Sequence, residues 1–106
     1  MTIKARQVPN ISAGEVRHWS VSFVDTLDTG EVLSSSTTAE LVTSDLTITS
    51  AVNSSSHVID GTTASSGQAV IGTVLGQAAN TSYVMRVTAV TAASQTLVID
   101  LPFWSD

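Results

Sequence analysis

The chain has 106 residues, no cysteine and a formal net charge of −5. This length suffices for one domain with a single hydrophobic core and is too short for two. The lack of cysteine excludes a disulfide scaffold, a zinc ribbon and thiol catalysis. The acidic balance argues against general nucleic-acid binding, which needs clustered lysine and arginine.

Residues branched at Cβ dominate the composition and favour strands. Valine, isoleucine and threonine account for 35 of the 106 residues, and such side chains suit a pleated sheet better than a helix. The apolar runs are a few residues long, whereas a membrane-spanning helix needs about 20. The N-terminus lacks the apolar region of a secretion signal. We therefore expect an unprocessed, soluble, all-β chain without membrane contacts.

Residues 1–13 are expected to form an extended N-terminal arm, because they contain Pro9 and Asn10 and have no sustained periodicity. The arm carries Lys4 and Arg6, and it makes the charge uneven: residues 1–17 sum to +2 and the rest to −7. The arm is expected to add little to the core. Deletion of residues 1–12 should therefore change the melting temperature by only a few degrees.

Several segments alternate apolar and polar residues with the period of two that is typical of strands. The clearest are residues 15–24 and 82–91. Further strands are predicted at residues 31–38, 46–52, 58–59, 69–75 and 96–101. The clearest apolar faces consist of Trp19, Val21, Phe23, Tyr83, Met85, Val87, Ala89, Leu97, Ile99 and Leu101.

Turn residues separate these strands. Asp60-Gly61 is a strong turn signal, since glycine accepts a positive φ without a Cβ clash, and residues 62–67 are expected to continue as a loop. Residues 39–45 fit either a short helical turn or a bend. Pro102 is expected to end pairing in the last strand and to leave residues 102–106 as a short C-terminal tail.

Six or seven short strands without a helix predict an antiparallel immunoglobulin-like β-sandwich over residues 14–101. Residues 79–83, which precede a long strand, are similar to a tyrosine corner. In that motif the phenol, here that of Tyr83, bonds back to an upstream backbone group.

Asp28-Thr29-Gly30 matches the active-site triplet of aspartic proteases, and Val70-Ile71-Gly72 is similar to a second element of that family. Two such chains could bring two carboxylates together to share a proton. The sequence after Gly76 does not supply the helix that retroviral-type proteases have there. Because Asp-Thr-Gly also suits an ordinary turn between strands, the turn is the favoured interpretation.

No other motif predicts catalysis or a metal site. His18 and His57 are far apart in the sequence, and no histidines or carboxylates have compact metal-ligand spacing. No serine stands in a Gly-x-Ser-x-Gly elbow. We expect both histidines to lie on a strand surface or in a loop, and we expect no enzymatic activity, cofactor or metal.

A longer pattern spans residues 14–101. Residues 14–23 and 30–36 come first, Gly67-Gln68 then precedes a strand, and Thr81-Ser82-Tyr83 begins another. This pattern resembles that of small tailed-bacteriophage virion proteins called fiber-tail adaptors. The resemblance implies an immunoglobulin-like, non-enzymatic structural component, located in the virion and present in many symmetric copies.

The expected function is therefore that of an adaptor in the tail or neck region, connecting tail or neck to fibers. Its expected partners are other virion proteins and copies of itself, with no nucleic acid. The expected partner-binding residues are Lys4, Arg6, Phe103 and Trp104, because basic groups and exposed aromatics anchor interfaces. Phe103 and Trp104 could instead fold back and cap the core.

Three alternatives stay open at this point. A capsid decoration protein would use a similar fold and similar terminal arms. A retroviral-type aspartic protease would use Asp28. A carbohydrate-binding sandwich would need an exposed aromatic platform, for which Trp104 is the available residue.

Overall fold

The computed structural model describes residues 5–76 and 78–106. Within them the chain forms nine β-strands and no helix, which confirms the prediction of an all-β protein. The strands are β1 (Ala5–Gln7), β2 (Val16–Ser22), β3 (Leu33–Leu41), β4 (Thr47–Val52), β5 (His57–Ile59), β6 (Thr62–Ala64), β7 (Ala69–Leu75), β8 (Thr81–Thr91) and β9 (Thr96–Ser105). Because these residues contain no helix, they contain none that could span a membrane.

The strands form two main sheets and a separate hairpin. A four-stranded sheet has the order β1-β2-β7-β4, a three-stranded sheet has the order β3-β8-β9, and β5 pairs only with β6. Every named pair is antiparallel. The two main sheets bury their facing side chains in one hydrophobic core.

The alternation read from the sequence correctly identifies the inner faces. Trp19, Val21 and Phe23 are buried on one side of that core. In β8 the burial alternates along the whole strand, with Tyr83 and Met85 among the inward residues. Because side chains alternate between the two faces of a strand, the period of two is sufficient to assign these positions.

The connections predicted between strands differ in outcome. Asp60 and Gly61 have φ angles of 49° and 78°, which confirms the predicted turn and matches the two-residue hairpin turn with both φ values positive. Residues 62–64 were expected to be loop and instead form β6. Residues 39–45 contain no helical turn: β3 continues to Leu41, and Val42 follows with a φ of 72°.

The prediction that Pro102 ends the last strand is wrong. β9 continues to Ser105 and pairs with β8 over its whole length. The backbone N–H and C=O of Trp104 point away from β8, since they bond to Asn10 and Ile11. By alternation, the nitrogen of Pro102 faces that same outer edge, where its missing N–H costs no hydrogen bond to β8. Residues 102–105 are therefore part of the sheet and not a tail.

The prediction that the N-terminal arm adds little to the core is also wrong. Its residues 5–7 form an edge strand on β2, and Ile11 is only 1% exposed within the main core. The backbone of Ile11 bonds to Trp104 at 3.0 Å and to Asp106 at 2.7 Å. The segment thus passes from the edge of one sheet to the edge of the other. Residues 1–4 of the arm lie outside the described residues.

Gly72 allows an unusually close approach between β7 and β4. A Cβ atom at this position would lie 1.8 Å from the carbonyl oxygen of Thr49 and 3.0 Å from the indole of Trp19. No side chain fits within such distances without moving the backbone. The indole itself is fixed nearby, since its N–H donates to the carbonyl of Thr73 at 3.1 Å.

Tyr83 forms the predicted bond to an upstream backbone group. The N–H of Ala78 donates to the phenol oxygen at 3.2 Å, and the phenol donates to a carboxylate oxygen of Asp45 at 3.1 Å. The ring also stacks on Phe103 with 5.6 Å between centroids. Burial raises the pKa of Tyr83, and the hydrogen bond to the Asp45 carboxylate acts in the same direction.

Replacing Tyr83 with phenylalanine should cost about 1–2 kcal/mol at neutral pH, because Ala78 and Asp45 each lose a hydrogen-bond partner. The variant should also lose one source of alkaline sensitivity. Because the folded pKa is raised, the unfolded chain releases this proton first, so wild-type stability falls as pH rises above about 10. Urea unfolding at neutral pH and near pH 11 checks both effects; an equal alkaline loss in the two proteins would contradict the second.

Candidate functional site

A groove of about 890 Å³ crosses the outer face of the four-stranded sheet. We call it the sheet groove. Its floor is built mainly from residues of β2, β7 and β4 that point away from the main core, and the backbone positions of Trp19, Gly72 and Ser50 lie between them. One wall is the β5–β6 hairpin, and another is residues 7–9 of the N-terminal segment.

Strand register arranges the floor in two rows. The first row places His18 beside Thr73 and Thr73 beside Thr49, and the second places Ser20 beside Ile71 and Ile71 beside Ala51. In the first row the hydroxyls of Thr49 and Thr73 lie 2.6 Å apart, and Thr49 also accepts from the backbone N–H of Thr73. The floor therefore combines a polar row with a mainly apolar one.

The hairpin wall is held by a second, smaller core. Ile59 and Ala64 of the hairpin are buried against Ala69, which lies on the outer face of β7. This contact covers the end of the sheet next to the groove. The remaining side chains of β5 that line the groove are His57 and the exposed Val58.

Asn53 fixes the two connections from which the hairpin extends. Its side chain is buried, and its amide N–H groups donate to the carbonyls of Ser55 and Ser65, each at 2.9 Å. Its side-chain oxygen accepts from the N–H of Ala69 at 2.9 Å. These bonds satisfy a polar group that would be costly to bury alone, and they hold the hairpin at a defined position on the sheet.

The charge of the sheet groove differs from that of the whole chain. The sequence has nine acidic residues, and none of them lines the groove, whereas Arg17, His18 and His57 do. Arg17 keeps an exposed ion pair with Glu15 at 3.3 Å, and such surface pairs are weak. Hydroxyl, amide and imidazole groups supply the other polar contacts, and each of these groups can both donate and accept hydrogen bonds.

As expected from the sequence, His18 lies on a strand surface and His57 at the start of a strand. The fold brings both of them to the sheet groove. The imidazole Nδ1 of His57 lies 3.1 Å from the carbonyl oxygen of Ser55. Across residues 5–76 and 78–106, no three histidines or acidic residues are grouped in a way that could hold a metal ion.

The outer face of the three-stranded sheet is a second uncovered surface. Arg86 and Asp100 face each other across β8 and β9, with bonds of 2.8 and 3.1 Å between guanidinium and carboxylate. This pair lowers the pKa of Asp100 and raises that of Arg86. On the same face Val98 is 50% exposed and Trp104 is 40% exposed. The other four aromatic residues of the chain are buried.

The structure places the residues expected to bind partners in different environments. Trp104 lies on the surface, where its indole N–H donates to Asp106 at 2.7 Å. Phe103 is only 6% exposed and belongs to the main core, which is the capping alternative. Arg6 is exposed and lines a small cavity of about 240 Å³. Lys4 lies outside the described residues.

Asp28 lies in an exposed turn between β2 and β3. The N–H of Glu31 donates to the carbonyl of Asp28 at 2.9 Å, and Gly30 has a φ of 81°. This geometry confirms the turn predicted for the Asp-Thr-Gly triplet. Glu31 also accepts a long 3.4 Å bond from the N–H of Asp28.

Comparisons of the chain with protein-family models, with curated proteins and with solved structures found no match.

Proposed function

We propose that the protein is a bacteriophage virion structural protein, an adaptor that connects tail or neck to fibers through protein–protein contacts. The observation that carries this proposal is Trp104, an exposed aromatic on the outer face of the three-stranded sheet in a chain whose other aromatics are buried. Tryptophan is strongly enriched among residues that dominate interface energies. The resemblance of residues 14–101 to fiber-tail adaptors supports the same function.

An immunoglobulin-like sandwich is part of this proposal. Constant-type immunoglobulin domains place the first, second, fifth and fourth strands in one sheet and the third, sixth and seventh in the other. The orders β1-β2-β7-β4 and β3-β8-β9 fit that scheme when the β5–β6 hairpin is counted as an insertion. The bond from Ala78 to the phenol of Tyr83 fits its tyrosine corner.

Arg6 would add a basic contact next to the Trp104 surface. Arg6 shares its small cavity with Leu101 and Pro102 of β9, so an exposed cation lies close to the strand that carries Trp104. We include Lys4 on its charge alone. An acidic surface on a neighbouring virion protein would suit these residues, with electrostatic attraction acting mainly on the association rate.

Replacing Trp104 with alanine should reduce incorporation into phage particles by tenfold or more, since a truncated hot-spot residue costs about 2 kcal/mol or more of binding energy. The free chain should keep its melting temperature within about 3 °C, because the side chain is partly exposed. Val42→Ala is the matched control, because Val42 is a fully exposed valine on a different loop. Quantitative mass spectrometry of purified particles measures incorporation. Equal loss of incorporation and of folded free protein would contradict an interface role for Trp104.

The position and copy number of the protein in the particle test the function directly. Immunogold labelling at the neck or tail, with a few to a dozen copies per particle, is the expected result. Hundreds of copies over the head would favour a capsid decoration protein instead. Peptide cleavage at acidic pH that disappears in Asp28→Asn would replace the structural function with the protease alternative.

A further inference from the structure

We propose that the sheet groove binds the acidic β2–β3 loop of a second copy of the chain. The acidic loop is residues 25–31, which carry Asp25, Asp28 and Glu31 and no basic residue. The inference rests on the proposed function, because a repeated virion component needs a surface for self-association. The surface concerned is separate from the one that carries Trp104.

The chemistry of the two surfaces is complementary. An ionised carboxylate can only accept hydrogen bonds, and the residues that line the groove include Arg17, His18 and several hydroxyl-bearing side chains that can donate them. No carboxylate in the groove would repel the loop. Arg17 is paired with Glu15 in an exposed contact, and such surface pairs are weak. Burial beneath a docked loop would strengthen the remaining attractions, because screening by water falls.

The acidic loop is also shaped before it binds. The N–H groups of Thr26 and Leu27 both donate to the carbonyl of Phe23, at 2.9 and 3.0 Å, and Leu27 packs against the main core. The turn from Asp28 to Glu31 adds a further backbone bond. A loop that is ordered in the free protein loses less conformational entropy on binding, which favours association.

The groove and the acidic loop are different parts of one molecule, since no residue of the loop lines the groove. Contact between them joins two unlike surfaces, so each copy can receive one loop and donate another, either reciprocally in a two-fold dimer or in one direction along a series of copies. Repetition of such a contact closes a ring if the rotation permits and otherwise extends a filament. A single loop covers less area than the roughly 1,000 Å² of a stable interface, so we expect weak association with a Kd of about 100 µM.

Sedimentation equilibrium of the purified wild-type chain from about 10 to about 500 µM tests the inference. At low salt the average mass should rise with concentration, and about 0.5 M NaCl should reduce this rise because it screens the charges. A wild-type chain that stays monomeric throughout at low salt would overturn the inference.

Two variants locate the contact. The loop variant is Asp25→Asn with Asp28→Asn, and its control, Asp100→Asn with Asp106→Asn, removes the same charge close to β9, away from both the groove and the loop. The groove variant is His18→Glu, which puts a negative charge on the floor; if it fails to fold, Ser20→Glu on the next row replaces it. We expect the loop and groove variants to weaken association at least fivefold, and the control variant to associate like the wild type. Wild-type association in both the loop and the groove variant would refute the proposed contact.

Mixing the two variants gives the sharpest result. The loop variant keeps an intact groove, and the groove variant keeps an intact loop. In the mixture, the loop of the groove variant can therefore bind the groove of the loop variant, and no second contact can form. The expected product is a one-to-one dimer that does not grow further. Larger assemblies, or no dimer, would contradict the contact between groove and loop. Because these measurements use the isolated protein, they can fail while virion labelling succeeds, and the reverse also holds.

Discussion

Replacing Gly72 with alanine is expected to destabilise the protein by about 3 kcal/mol or more. The added methyl would lie 1.8 Å from the carbonyl oxygen of Thr49 and 3.0 Å from the indole of Trp19. Neither group can move easily, since one is backbone in a paired strand and the other is a buried ring. Equilibrium unfolding in urea, followed by tryptophan fluorescence, measures the effect.

Gly30→Ala is the matched control for this substitution. Gly30 has a φ of 81° but open space around the position of its missing Cβ. The alanine should therefore cost only the left-handed backbone conformation, about 1–2 kcal/mol. If both alanine variants lose the same stability, close approach of β4 is not what requires glycine at position 72.

Replacing Ile11 with alanine is expected to cost about 2–5 kcal/mol, the range for truncating a buried isoleucine. Ile11 is in the main core, although it belongs to a segment with no regular strand pattern. Deleting residues 1–12 should cost more, because the bonds from Ile11 to residues 104 and 106 are lost as well. Thermal unfolding of both variants shows which of them loses more stability.

Val16→Ala provides the comparison for Ile11. Val16 is 59% exposed, so its truncation should change stability by no more than about 0.5 kcal/mol. A deletion of residues 1–12 that melts like the wild type would show that Ile11 adds no stability in solution.

The inner faces of the long strands could be predicted from the sequence because they follow from alternation alone. Trp19 with Val21, and Tyr83 with Met85, need no knowledge of which strands pair. The places of Ile11 and Pro102 depend on pairing over more than 90 residues, since Trp104 donates to Asn10. A local sequence pattern does not reveal such a long-range contact, so the predictions of a separate arm and a separate tail are wrong.

The candidate site likewise has one part that the sequence predicts and another that depends on strand pairing. Trp104 could be proposed from its residue type and its place near the end of the sequence, although the tail predicted from Pro102 is in fact part of β9. The sheet groove could not, because His18 and His57 come together only through the β2–β7 register and the position of the hairpin. Asn53 is a local hint, because an asparagine between two strands is well suited to fix loop backbones. The partners of its side chain are nevertheless spread from residue 55 to residue 69.

The contact of Ile11 with residues 104–106 has a consequence for biosynthesis. A ribosome synthesises the chain from its N-terminus, so Ile11 is made well before residues 104–106. Its side chain therefore stays exposed until nearly all the strands have been synthesised. Contacts of such long sequence separation form slowly. A nascent or truncated chain that lacks residues 104–106 would expose this isoleucine to water, and with it a site for aggregation or for chaperone binding.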